Sequence, residues 1–445
     1  MRVQKIRTAA AAGVLVLSSC GGGAAADGVD VQVGAARTYY VSPRGSDTNP
    51  GSVDEPWRTI QKAADTLGPG DTAVLLDGNY EEGMVQFTRS GTQSDRITVR
   101  AQNKWGAVVR STSGCDPAFS IRASYITVQG LRFSVSENNG GCGSYTSTNV
   151  AIRAWEEMNP RPSQPDSGHV GFIADGIKVD ADSARSEGVK SNQDFTVIQN
   201  SEFGNSIELF NSKNSVIRNN VVNGQNLWGI SIFVKGGVRN AQVYNNVIYN
   251  KNRNGYGIYL GGVTADPWHF DETARFEAYH SVAYNNVVVN ESGGSNMRAL
   301  ILAGALNSAF FNNVVVGGSL AMMEGGPESG PRAATTNPRF ENNIVICHAS
   351  GPALTGSYLG TLTIGNNNFA GCSDAPAQAN PVTGDPLLLN RSSDWRLRAG
   401  SPALNAGSVI TFIGFDGMPI DVSRDRNGVA RTAPWDLGVY EQSDQ

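Results

Sequence analysis

The sequence predicts an all-β protein built as a single right-handed parallel β-helix, and three observations carry that expectation. The first is a repeat: "SVIRNNVVNGQ" from Ser215 returns as "AQVYNNVIYNK" from Ala241, "SVAYNNVVVNE" from Ser281 and "SAFFNNVVVGG" from Ser308. Fainter copies begin at Arg339 and Leu362. The second Asn of each pair falls at Asn220, Asn246, Asn286, Asn313 and Asn343, so the intervals are 26, 40, 27 and 30 residues. Periods of this size mark stacked supersecondary units. The second observation is alternation. Runs such as "GISIFVKG", "GIYLGG" and "RALILAGA" alternate apolar with other residues and are bounded by Gly, Asn and Ser, the pattern of short half-buried strands. The third is composition: charged residues are 17% and Gly is 52 of 445, against typical values of about 25% and ~7%. Long helical periodicity is absent from the sequence.

Taken from the N-terminus, Arg2, Lys5 and Arg7 precede an apolar run from Ala9 to Leu17. That run is too short to span a bilayer, which takes about 20 residues, and it has the layout of an export signal. "LSSC" follows it, and these four residues resemble the lipobox of bacterial lipoproteins. The resemblance implies removal of residues 1–19, lipidation of Cys20 and a bacterial membrane anchor facing the periplasm or cell surface, with ordinary secretion as the alternative. Residues 20–37, rich in Gly and Ala, then read as a tether. Loss of the three basic signal residues takes the formal charge from −5 to −8, which argues against nucleic acid as a partner.

Residues 38–378 hold the coils. In "PWRTIQKAADTLGPGD" the residues Ile60, Ala63, Ala64 and Leu67 share one helical face, and Gly68-Pro69-Gly70 stops the helix. Such a helix covers the first coil and protects a raw strand edge. The opening stretch from Tyr39 to Glu82 resembles the N-terminal cap and first coil of bacterial right-handed β-helix proteins of the pectin lyase-like kind, many of them polysaccharide lyases. Residues 379–445, with "GDPLLLNRSSDWRLRAGSPALNAG" and "WDLGVYE", resemble the segment appended to such helices. These resemblances imply an architecture and a family neighbourhood; chemistry has to be argued from a site.

The Asn pairs are expected at coil corners, because Asn tolerates left-handed backbone and its side chains can bond one another in a stack. Residues one coil apart lie one above the other, about 4.8 Å apart. Cys115 with Cys142 and Cys347 with Cys372, 27 and 25 residues apart, are therefore expected as disulfides stapling adjacent coils.

For chemistry, an inward ladder of Ile177, Ile207, Ile230, Ile258 and Leu300 would put Lys178, Asp180, Glu208, Lys235 and Tyr259 on one outward face. Insertions at 134–172, 181–194 and 263–280 would surround it, the last carrying Trp268. The catalytic candidates are Lys178, Lys235 and Arg239; Glu208, Tyr259 and Trp268 are candidates for substrate contact. Asp175, Asp180 and Asp182 in "ADGIKVDAD" are candidate calcium ligands. Lyase chemistry needs a base for the proton α to a uronate carboxylate, and a cation to hold the charge that develops. In the alginate- and dermatan-cleaving β-helix lyases, a strand Lys precedes an "RNN"-like corner and an Arg follows one coil later. Here Asn211 stands at the Lys position and Lys235 at the Arg position, so that dyad is not reproduced. The reading is an exported, monomeric lyase for acidic polysaccharide. A glycan-binding lipoprotein without activity and a two-carboxylate glycoside hydrolase are the alternatives.

Overall fold

A computed structural model describes residues 35–111, 116–134, 150–155, 168–180, 187–224, 229–251, 255–264, 275–291, 297–328, 331–348 and 351–442. One coil shows how the sequence folds. Val216–Arg218 runs in a first sheet, a corner at Asn219-Asn220 turns the chain, and Val221–Val222 runs in a second sheet. Ile230–Lys235 then runs in a third, and Gln242–Tyr244 returns to the first beside the strand that began the coil. Among the described residues the first sheet has twelve strands, the second eleven, and the third belongs to a twelve-stranded sheet. Strands of successive coils are parallel neighbours in all three, as a β-helix requires.

The expected cap helix spans Ile60–Thr66, with Thr59 accepting from the Lys62 amide as N-cap. The Glu82 carboxylate accepts from the Ile60 amide at 2.7 Å, a charged partner for a helix start. Ile60, Ala63, Ala64 and Leu67 are all buried, as the helical face predicts.

The two asparagines of each pair do different work. The second is fully buried: Asn220, Asn246, Asn286, Asn313, Asn343 and Asn367. Asn246 shows the pattern, its Nδ2 donating to Ile217 O and to Asn286 Oδ1, while that same oxygen also accepts from the Asn246 amide. Gln378 ends the ladder, accepting from both the amide and Nδ2 of Asn367. The first Asn carries the left-handed bend, with φ of 56° at Asn219, 58° at Asn245 and 54° at Asn285.

The C-terminal segment wraps the outside of the coils. Leu388, Trp395, Leu397, Leu437 and Val439 bury outward residues of the second sheet, such as Val287, Val314 and Ile344. Ile410, Phe412 and Trp435 bury Tyr284 and Phe311 of the first sheet. Corner asparagines fix the register between them: Asn285 donates to Arg424 O at 2.7 Å, Asn342 to Ser408 O at 2.8 Å and Asn366 to Ala406 O at 2.8 Å. Coils and segment form one compact unit, residues 36–445.

Cys347 and Cys372 form the expected disulfide between adjacent coils, with Cα atoms 5.0 Å apart. Cys20, Cys115 and Cys142 lie outside the described residues.

The expected inward ladder needs correcting. Ile207 is in register with Ile232, Ile258 and Leu300, whereas Ile230 pairs with Tyr256 and Ile177 precedes the second-sheet strand Lys178–Val179. Every strand alternates with period two, so alternation alone does not say which strand of a coil is being matched.

Candidate functional site

The corrected register builds a column on the outer face of the third sheet. Arg153, Lys190, Glu208, Phe233, Tyr259 and Ile301 succeed one another, one per coil. Phe210 and Lys235 are neighbours two residues further along, on the same face. Charge collects where these columns meet. Lys190 Nζ lies 3.2 Å from Glu208 Oε1 and 3.6 Å from Glu187 Oε2, and Lys235 Nζ lies 3.7 Å from the same Glu208 oxygen. Glu187 and Glu208 are only 5% and 2% exposed, while the two lysine side chains keep 21% and 16% of their surface. Both named carboxylate oxygens have charge partners and no hydrogen bond.

Burial decides the charge states. It pushes Glu187 up to about 7, with Lys190 opposing the rise and Glu208 adding to it. Burial also works to raise Glu208, but Lys190 and Lys235 outweigh it and hold that carboxyl below its ordinary value. For Lys190 burial works downward, yet Glu187 and Glu208 raise it, so it stays charged. The cluster therefore sets a Lys190 cation and a Glu208 carboxylate beside one carboxyl that titrates near neutrality, with Lys235 against the same Glu208 oxygen. Aromatic rings border it: Trp155 stacks on Phe210 at 5.3 Å, Lys190 lies over Trp155 at 5.6 Å and Lys235 over Phe233 at 4.2 Å. Tyr259 packs edge-on against Phe233, donates to Met323 Sδ at 3.3 Å, and burial pushes its phenol up to about 12.

The structure splits the face expected from the sequence. Glu208, Lys235 and Tyr259 come together, but Lys178 is a second-sheet residue in register with Arg132 and Glu202. Its Nζ is 2.9 Å from Glu202 Oε1. Asp180 is held by Arg132 Nε at 2.8 Å, and Asp175, in the first sheet, accepts from Asn200 at 2.7 Å and Gln129 at 3.1 Å. Among the described residues no group of three or more acidic, His or Cys side chains converges to hold a metal ion. Asp182 and Trp268 lie outside them. Arg239 belongs to a small three-stranded sheet, its guanidinium 5.3 Å from the Tyr279 ring and 4.9 Å from the Phe415 ring.

A family model described as the Pel9A-like, right-handed β-helix region matches residues 39–294, more than half of the chain. The chain belongs to that family. A segment of 134 residues is 30% identical to the uncharacterized protein YwoF of Bacillus subtilis, covering 27% of this chain and 28% of that one. Another of 67 residues is 42% identical to pectate lyase PEL9 of Emericella nidulans, covering 15% and 16%. The matches thus span less than a third of either relative. Among solved structures, a complex of XylC with xylose superposes with a TM-score of 0.57 at 13% identity, over 92% of this chain and 99% of that one. A rhamnogalacturonan lyase superposes with a TM-score of 0.50 at 14% identity, over 80% and 91%. At these identities the superpositions speak for the fold alone.

In this Pel9A-like β-helix the residues that sequence reading misses are Arg153, Glu187 and Lys190. Residues 181–194 read as an insertion, yet Glu187–Ser191 is a coil strand. The legible signal was "EGVKS", a short run centred on Val189 with a charge on either side of it and Lys190 only 18 residues before Glu208. A coil that short breaks the period set by the asparagines, which is why it escapes the repeat.

Proposed function

We propose that the protein cleaves an acidic, uronate-containing polysaccharide by β-elimination on the outer face of the third sheet. The observation that carries this reading is the buried cluster of Glu187, Lys190, Glu208 and Lys235. Burying four ionisable groups costs several kcal/mol per ion before pairing, about what an apolar core of that volume would avoid. Such clusters concentrate where chemistry needs them.

The roles follow from the charge states. Lys190 and Lys235 hold the substrate carboxylate, drawing off the charge that develops when its α-proton leaves. Glu187, near neutrality, accepts that proton. The C–H electron pair becomes the new double bond, the bond to the β-oxygen breaks, and the leaving oxygen takes a proton from solvent water. Tyr259 stays protonated and, with Trp155 and Phe233, supplies ring faces for sugar packing. The candidate calcium ligands Asp175 and Asp180 stand apart from this cluster, on the first and second sheets. Export and anchoring through Cys20 are part of the same proposal: Cys20→Ala is expected to abolish acyl labelling and release the protein from membranes, and unchanged retention would refute the anchor.

The test is incubation of the protein with galacturonate, mannuronate–guluronate and neutral polysaccharides, each with calcium and with chelator. Ultraviolet absorbance from an unsaturated product is the expected result. Reducing ends without that absorbance would make the protein a hydrolase, and retention without cleavage would make it a binding protein.

A further inference from the structure

At the corner between the first and second sheets, one residue per coil adopts positive φ. From the N-terminal end these include Trp105 at 68°, Gly130 at 67°, Gly176 at 63°, Asn200 at 55° and Asn219 at 56°, continuing to Asn366 at 53°. From Asn245 to Asn366 the side chains of this column donate to carbonyls of the C-terminal segment. The earlier coils have a different surface. Their adjoining first-sheet column reads Arg100, Gln129, Asp175, Gln199 and Arg218, where the later coils have Tyr244, Tyr284 and Phe311 under the segment.

Two consecutive glycines interrupt the column, and their missing side chains leave a cleft of about 370 Å³ over Gly130 and Gly176. A Cβ placed on Gly130 would meet nothing closer than 3.7 Å, and one on Gly176 nothing closer than 3.8 Å, so a side chain could start at either position in ordinary contact without a clash. Arg100, Lys104, Gln129, Asp175 and Asn200 line it. Asp175 is already committed, with one oxygen on Asn200 and the other on Gln129. Arg100 reaches only the Ala101 carbonyl at 3.3 Å, and Lys104 lies 4.6 Å over the Trp105 ring. Among the described residues neither cation is ion-paired. The cleft is thus cationic, rimmed by amides, in a protein whose formal charge is −5, and its size sits at the small end of small-molecule sites.

We propose that this notch is a second, non-catalytic binding site for one acidic sugar unit. Arg100 and Lys104 take its carboxylate, and Gln129 and Asn200, which Asp175 holds in place, take hydroxyls. The sugar class rests on the proposed function, but the site is on the corner of the first and second sheets and not on the third-sheet face. It would hold a second stretch of polymer while the third sheet works on another.

The experiment is calorimetric titration with galacturonate trisaccharide, its methyl ester, and mannuronate trisaccharide, in a Lys190→Ala background that disables the third-sheet cluster. The key variant combines Gly130→Asn with Gly176→Asn. Asn occupies the same column elsewhere at nearly the same φ, so this variant keeps the backbone and fills the notch. Thermal unfolding checks its fold, and Arg100→Gln and Lys104→Gln provide a route that leaves the backbone untouched. The expected result is binding of at least one acidic trisaccharide and weaker binding of the ester. Affinity should drop at least ~10-fold in the glycine variant and in Arg100→Gln. With Lys190 intact, the glycine variant should cleave short oligosaccharides at the wild-type rate. Absence of binding by both acidic probes, equal binding of the ester, or an unchanged isotherm in the variants would overturn the notch. A protein that cleaves nothing but shows the expected titration would sink the third-sheet reading and leave the notch standing.

Discussion

Glu187 and Lys178 divide the residue-scale argument between them. A carboxyl raised by burial from 4.5 to about 7 keeps its proton in the folded protein where the unfolded chain has lost it. Its contribution to stability therefore falls as pH rises through that window, and the full cost of burying the charge is present above it. Glu187→Gln is expected to narrow or reverse any deficit in melting temperature against wild type as pH rises from about 5 to about 8; a gap that stays constant would contradict the assigned ionisation. Lys178 belongs to the second sheet with Glu202 as partner, so Lys178→Ala should leave cleavage within about twofold of wild type. Lys235→Ala should cost about 10²-fold or more, the range expected for a group that acts in the transition state. Equal losses in both would restore the single face that the sequence implied. Lysines are easy to find in a sequence, but which sheet of a coil each belongs to depends on register, and period-two alternation is blind to it.

At the scale of elements, the asparagine ladder was legible because it repeats at the coil period, and its corner position is where the structure puts it. Its division of labour was not legible, since identical residues do both jobs and only burial separates them. Asn286→Ala should destabilise the protein by about 1–3 kcal/mol, because the buried Asn246 amide loses its acceptor. Asn285→Gly should cost less for the bend itself, since Gly accepts positive φ, and it would lose the bonds to Arg424 O and Arg431 Nη2. Denaturant unfolding of the two variants checks this, and a larger loss at Asn285 would contradict it. The C-terminal segment reads in sequence as an appendage. Its apolar residues are spaced irregularly, so nothing in them announces that they clamp the outward faces of two sheets. The missed strand Glu187–Ser191 failed for a different reason: its register shifts between Glu187 and Val189, and the coil that contains it is too short for the repeat.

For the molecule as a whole, the excess of negative charge repels a polyanion at long range, and the two places where cations gather have to offset it locally. Association with an acidic polymer should accordingly strengthen as moderate salt screens the overall repulsion, then weaken as the local contacts are screened in turn. The fold followed from period, alternation and composition together, whereas the site required the three-dimensional register that brings residues from separate coils into one column. The most direct measurement of that site is the initial rate of unsaturated-product formation on acidic polysaccharide as a function of pH. With Glu187 as proton acceptor, the rate of the wild type should rise through about pH 7, and Glu187→Gln should lose at least ~10²-fold. A rate that falls as pH rises through the same range, or wild-type activity in Glu187→Gln, would contradict the third-sheet cluster as the catalytic centre.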